Sequence, residues 1–144
     1  TAFDMQVSYH KRKPVEASPY LYTESVYGLA QWADFLIVTV AGGEQTRHLI
    51  DANVLDALGP TAFLINVARG SVVDERALVH ALQDGRIAGA GLDVYEDDPR
   101  PYPGLEAMDN VVLAPHIGSG THATRHAMAD WVLENIRTWP PVVR

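Results

Sequence analysis

The sequence predicts an α/β fold built on an open parallel sheet. Three observations point there. Short apolar runs rich in β-branched residues alternate with stretches of helical spacing, the links between them are brief, and three helical stretches open on a capping residue and close on Gly or Pro. Strand, helix, strand with short links calls for right-handed crossovers, which make neighbouring strands parallel.

Residues 5–9 read as a first strand, followed by the basic, Pro-terminated loop His10-Lys11-Arg12-Lys13-Pro14. Residues 25–33 have helical spacing, with Val26, Leu29, Ala30 and Ala33 on one face. The run 35–40 is continuous and β-branched, the pattern of a strand covered on both faces. Asp51 is placed to cap a short helix carrying Val54, Leu55 and Leu58, which Gly59-Pro60 stops. Residues 62–67 form another strand of buried type. Asp74 caps the next helix, whose Ala77, Leu78, Ala81 and Leu82 share a face and which Gly85 ends. Runs 87–94 and 111–114 complete five strands, joined by a rigid Pro-rich loop over 98–104. Thr121 then opens a long helix striped by Ala127, Met128, Trp131, Val132 and Ile136, closed by Pro140-Pro141.

With 144 residues, one domain is expected, since domains commonly hold roughly 100–200. A hydrophobic fraction of 47% supplies a core and excludes disorder, and only 11 Gly exclude a collagen-like chain. The 11 basic against 18 acidic residues give a net charge of −7, which argues against a nucleic-acid partner. Having no cysteine, the chain has no disulfide, thiolate metal site or cysteine nucleophile, and a reducing cytoplasm is the expected compartment. Apolar runs fall far short of the ~20 residues that cross a bilayer, so no membrane partner is expected. The first residues show no signal-peptide pattern. Without a starting Met, the chain is expected to begin inside a longer gene product.

In open parallel sheets, ligands bind beyond the carboxyl ends of the strands. Arg69 follows the third strand of this reading; alone it is a surface arginine, but beside Gly70 its guanidinium can clamp a carboxylate bidentately. After the fourth strand come four carboxylates in the segment 93–98. Glu96 and Asp97 read as solvated, whereas Asp93 ends an apolar run where a carboxylate needs a partner. After the fifth, His116 stands between an apolar run and a Gly-flanked turn, where a proton donor would be presented. Arginine, carboxylate and histidine at successive strand ends can orient an oxo acid, protonate its carbonyl and tune the proton donor.

The blocks Ile65-Asn66-Val67-Ala68-Arg69-Gly70-Ser71-Val72-Val73-Asp74-Glu75, Gly91-Leu92-Asp93-Val94 and Ala114-Pro115-His116-Ile117-Gly118-Ser119 resemble the signatures of the D-isomer-specific 2-hydroxyacid dehydrogenases, in the same order and over essentially the whole chain. The resemblance implies a doubly wound (Rossmann-like) parallel sheet, truncated at the N-terminus, and hydride transfer between NAD(P)H and a small 2-oxo or 2-hydroxy acid of glyoxylate/hydroxypyruvate type. It implies that Arg69 binds substrate, that His116 is the acid/base, that Asp93 holds the nicotinamide carboxamide and that Asp98 pairs with the histidine. The family usually has glutamate at that last position. Asp98 is one methylene shorter, so it is expected to reach His116 after loop adjustment or through a water. Gly120 for a common Ala and Ala41 for a common Pro are milder departures.

An NAD-preferring enzyme places an acid at the end of the first strand present here. His10, Lys11 and Arg12 stand there instead and favour the 2′-phosphate of NADP, with NAD as the lesser choice. Val40, Thr46, Val67, Ala68 and Gly118 are expected as further cofactor contacts, alongside Arg69, Asp93 and His116. Gly89-Ala90-Gly91 begins a GxGxxG pattern, but Val94 occupies the third glycine position, so it is not the dinucleotide loop. By the resemblance, residues 1–120 form a partial dinucleotide-binding domain lacking its first strand and Gly-rich loop. Residues 1–4 would be the tail of the helix after that loop, and 121–144 a helix crossing toward an absent substrate domain. The isolated chain is expected to be poorly stable and inactive, and the full-length protein a homodimer.

Two rival chemistries are weak. His122 and His126 have metal-ligand spacing, but Ala123 takes the place of the glutamate in HExxH, so no metal is expected. Ser71 and Ser119 match no GxSxG elbow. A third reading, a non-catalytic dinucleotide-sensing or scaffold protein of the same fold, is weighed against by retention of both Arg69 and His116.

Overall fold

The computed structural model describes residues 3–139. In chain order the elements are β1 (Ser8–Tyr9), β2 (Leu21–Tyr22), α1 (Val26–Trp32), β3 (Phe35–Val38), α2 (Ala52–Leu58), β4 (Phe63–Asn66), α3 (Glu75–Gln83), β5 (Gly89–Leu92), β6 (Val111–Leu113) and α4 (His122–Thr138). Strands β3, β4, β5 and β6 form a parallel sheet in that order, and β1 and β2 form a separate parallel pair.

Capping follows the sequence. Asp51 accepts from the Val54 amide, Asp74 from Ala77 and Thr121 from Thr124, each satisfying an amide the first helical turn leaves without a partner. Ser25 caps α1 in the same way. Gly59 and Gly85 take positive φ just past α2 and α3, a backbone shape that glycine adopts without a Cβ clash.

Register explains which face is covered. Leu36, Leu64, Ala90 and Val111 form one row across the sheet, and Val38, Asn66, Leu92 and Leu113 a second. These rows face the apolar sides of α1, α2 and α3, so that Ala30, Leu55, Leu58, Leu78, Ala81 and Leu82 share one core with them. Fully burying Leu55, Leu64 or Leu78 contributes roughly 1.5–3 kcal/mol each. The alternate rows hold Phe35, Phe63 and Gly89, then Ile37, Ile65, Gly91 and Val112. Phe35 and Phe63 stack at 5.3 Å on this face, while Ile37 is 59% and Val112 72% exposed. Gly89 and Gly91 belong here too, where a Cβ would crowd the Phe63 ring and the Ile65 side chain at 3.1 Å; they are strand glycines.

Three expectations are corrected. The strand expected over 5–9 forms only at Ser8–Tyr9, and its partner Leu21–Tyr22 is too short to register as an apolar run. The run 35–40 is covered on one face, not both, because α1, α2 and α3 share one side of the sheet and no described helix packs on the other. Of the expected helix tail over 1–4, Thr1 and Ala2 lie outside the described residues, while Phe3 lies in a turn and Asp4 has φ 51°. The expected apolar stripe of α4 is present, and among the described residues none of that helix is buried, with Met128, Trp131, Val132 and Ile136 all exposed. Pro140 and Pro141 lie outside the described residues.

Candidate active site

The carboxyl ends of β4, β5 and β6 open into a hollow of about 350 Å³, lined by Gly42, Arg69, Gly70, Ser71, Val94, Tyr95, Glu96, Asp98 and His116. Local chemistry builds each wall. Asn66, the last residue of β4 and 1% exposed, accepts from the Ala68 amide with Oδ1 and donates to the Arg69 carbonyl with Nδ2, both at 3.1 Å. One buried amide thus closes the turn that presents Arg69. The guanidinium of Arg69 bonds the Ala68 carbonyl at 2.6 Å and, among the described residues, forms no ion pair. Its stem lies over Gly42, where a Cβ would come within 2.7 Å of Arg69 Cγ.

The opposite wall carries the pair His116 and Asp98. His116 has φ 55°, a left-handed conformation that costs a non-glycine residue free energy. Its loop is pinned from below by Asp93, whose two carboxylate oxygens accept from the Ile117 and Gly118 amides, each at 2.8 Å. A Cβ at Gly118 would approach Asp93 Oδ2 to 2.9 Å, so glycine permits the close seat. Nδ1 of His116 lies 2.5 Å from Asp98 Oδ2. Because a carboxylate only accepts, Nδ1 donates, and Nε2 is left for a ligand. This contact is direct, correcting the expectation that aspartate would need a water or loop adjustment: the 94–98 segment already lies close enough for the shorter side chain.

That segment is itself held. Gly70 fits so tightly beneath it that a Cβ would fall 1.8 Å from the Tyr95 carbonyl carbon. Tyr95 is buried and donates its hydroxyl to the Ala114 carbonyl at 2.7 Å, tying the Asp98 loop to the end of β6. Burial, with Asp93, Asp98 and Glu75 nearby, pushes the Tyr95 hydroxyl pKa up, so it stays a donor. Glu96 is exposed, as expected from the sequence, and is also paired: its Oε1 meets Arg47 at 2.5 Å and His48 Nε2 at 3.1 Å. Pairing of residues 48–50 with 71–74 brings those two bases alongside. Asp97 is exposed, with Arg100 at 3.4 Å.

Of the residues singled out in the sequence, the fold brings Arg69, Asp98 and His116 around one hollow, with Asp93 and Gly118 directly behind His116. The other cofactor candidates lie outside its lining. His10 Nδ1 meets the Thr23 carbonyl at 2.9 Å and its ring stacks on Tyr22. Arg12 reaches Gln45 at 3.4 Å, which brings the basic loop beside the turn after β3. In that turn the Thr46 hydroxyl donates to the Ala41 carbonyl at 2.8 Å. Among the described residues neither Lys11 nor Arg12 forms an ion pair, so their charge is available to an anion. Val40 is half-buried, Val67 is exposed and Ala68 is buried. Asn66, Gly70 and Tyr95 escaped the sequence reading as site residues. An amide at the polar end of an apolar strand was the one signal for Asn66.

Residues 1–118 match the family described as D-isomer specific 2-hydroxyacid dehydrogenase, NAD binding domain. The chain is 47% identical over 135 residues to a glyoxylate/hydroxypyruvate reductase A of Arabidopsis thaliana, covering 94% of this chain and 43% of that protein. It is 44% identical to a 2-ketogluconate reductase of Gluconobacter oxydans, over 94% and 44% of the two chains. Its fold superposes with a TM-score of 0.91 and 47% identity on an NADPH-dependent glyoxylate/hydroxypyruvate reductase from Sinorhizobium meliloti, solved in complex with NADP and malonate, over 98% of this chain and 44% of that one. The chain thus spans less than half the length of these relatives.

Proposed function

The chain belongs to the D-isomer specific 2-hydroxyacid dehydrogenase family, of which it carries the NAD-binding domain, and from that premise we propose that the protein reduces a small 2-oxo acid of glyoxylate or hydroxypyruvate type with NADPH. The observation that carries this reading is the shared hollow, with Arg69 on one wall and the His116–Asp98 pair on the other.

The residues fit the cofactor. Two unneutralised cations, Lys11 and Arg12, suit a 2′-phosphate, and the relative from Sinorhizobium meliloti binds NADP. Each Asp93 oxygen keeps a lone pair beyond its amide bond, enough to accept from a carboxamide. When bound, the nicotinamide supplies the hydride that C2 of the oxo acid receives. Arg69 holds the substrate carboxylate and stabilises the charge that grows on the carbonyl oxygen. His116 hands its Nε2 proton to that oxygen, and Asp98 fixes the ring through Nδ1 so that Nε2 is the nitrogen left facing the substrate. A sensor without turnover would not need this set, which weighs against the scaffold reading.

The wider assignments follow the same reading. Residues 1–120 act as part of a dinucleotide-binding domain, and α4 crosses to a substrate domain, which the absence of any buried residue on that helix supports. The full-length protein is a homodimer of the cytoplasm, consistent with a cysteine-free chain; no described helix is long and apolar enough to cross a membrane. The test is NADPH oxidation by the full-length polypeptide across a panel of 2-oxo acids. Turnover of glyoxylate or hydroxypyruvate that is abolished by His116→Gln is expected. Dinucleotide binding with no turnover of any oxo acid would overturn the assignment.

A further inference from the structure

We infer that Glu75 is a positioning residue for the proton-transfer pair, acting from the first turn of α3 by holding the backbone of the segment that delivers Asp98 to His116. Glu75 is a carboxylate only 3% exposed, an environment that side chain rarely occupies without a specific partner. Its partner is the Glu96 amide, which donates to Glu75 Oε1 at 2.8 Å. Glu96 lies two residues before Asp98, so this bond sets the height of the chain from which Asp98 projects. The same short stretch is gripped from three other directions. Gly70 closes against it from below, Arg47 and His48 hold the Glu96 side chain, and the Tyr95 hydroxyl ties it to the Ala114 carbonyl two residues before His116.

Among these grips, that of Glu75 comes from an element carrying no reacting group. It gives α3 a purpose beyond packing: Asp74 caps the helix, and Glu75 reaches back to the site. Without an acceptor at position 75, the Glu96 amide loses its partner and Asp98 loses its register with His116. Glutamine keeps an acceptor oxygen on the same stem, whereas methionine fills similar volume without one.

The inference rests on the reductase reading, and the experiment separates the two. In the full-length enzyme, Glu75→Met is expected to lower kcat about tenfold or more while leaving NADPH binding nearly unchanged, and Glu75→Gln to keep kcat within about twofold of the parent. In an Asp98→Asn background, Glu75→Met is expected to cost less than about twofold further, because the group it positions is already disabled. Equal activity of the Met and Gln variants, or additive losses with Asp98→Asn, would overturn the inference. Amide hydrogen exchange at Glu96 supplies a readout independent of turnover: faster in the Met variant, unchanged in the Gln variant. If the parent enzyme turns over no 2-oxo acid, the reductase reading fails, while exchange at Glu96 still decides whether Glu75 holds the segment; equal exchange in both variants would sink that too.

Discussion

At the residue scale, the proposed chemistry rests on the arrangement of Arg69, Asp98 and His116. His116→Gln is expected to cut kcat by about 10²–10⁴ with NADPH affinity retained, because it removes the proposed proton donor and leaves the loop intact. Asp98→Glu, which restores the side chain usual in the family, is expected to lower kcat about tenfold or more: His116 already sits 2.5 Å from the shorter acid, and an added methylene displaces one of them. Steady-state kinetics of both variants check this, and a gain in Asp98→Glu would show that the aspartate is a compromise. Glu75 carries a pH signature. Burial, foremost, and the nearby Glu96 charge raise its pKa above 4.5, only partly offset by the bond from the Glu96 amide. The native state therefore favours the protonated form. Its contribution to stability is fully present below pH 4.5 and is lost as pH rises through the elevated folded value. Urea unfolding across pH should show Glu75→Gln gaining on the parent toward neutrality, with the difference shrinking in acid.

Elements were legible wherever local chemistry is self-sufficient. The caps Asp51, Asp74 and Thr121 and the terminating glycines Gly59 and Gly85 act within one helical turn, so their roles could be read from neighbours in sequence. Asp74→Ala is expected to cost about 1 kcal/mol, read as a shift in urea midpoint. Gly70 behaves otherwise. Its need for glycine arises from a segment 25 residues away, where the Tyr95 backbone lies against it. Gly70→Ala is expected to destabilise by about 1–3 kcal/mol or more and to depress activity together with stability. The pairing of Glu96 escaped the sequence for the same reason, since Arg47 and His48 are its neighbours only in space.

For the molecule as a whole, the unequal faces of the sheet matter most. The rows Phe35–Phe63 and Ile37–Ile65–Val112 and the stripe of α4 leave apolar surface with no described element over it. Such surface is expected to drive association of the isolated 144-residue chain. Sedimentation velocity should find concentration-dependent assembly, reduced by Ile37→Lys combined with Val112→Lys. A monodisperse monomer of 15.8 kDa in the parent chain would contradict it.

By itself the sequence determined the alternation of strands and helices, their caps, the parallel sheet and the identities of Arg69, Asp93 and His116 as strand-end groups. Those features are set by periodicity and by contacts within a few residues. Only the tertiary structure decided that Asp98 reaches His116 directly, that Asp93 spends its amide bonds beneath the histidine loop, and that Asn66, Gly70, Tyr95 and Glu75 frame the site. Each of these depends on a pairing between segments distant in the chain, and such pairings exist only after the core of β3, β4, β5 and the helices has brought the strand ends together.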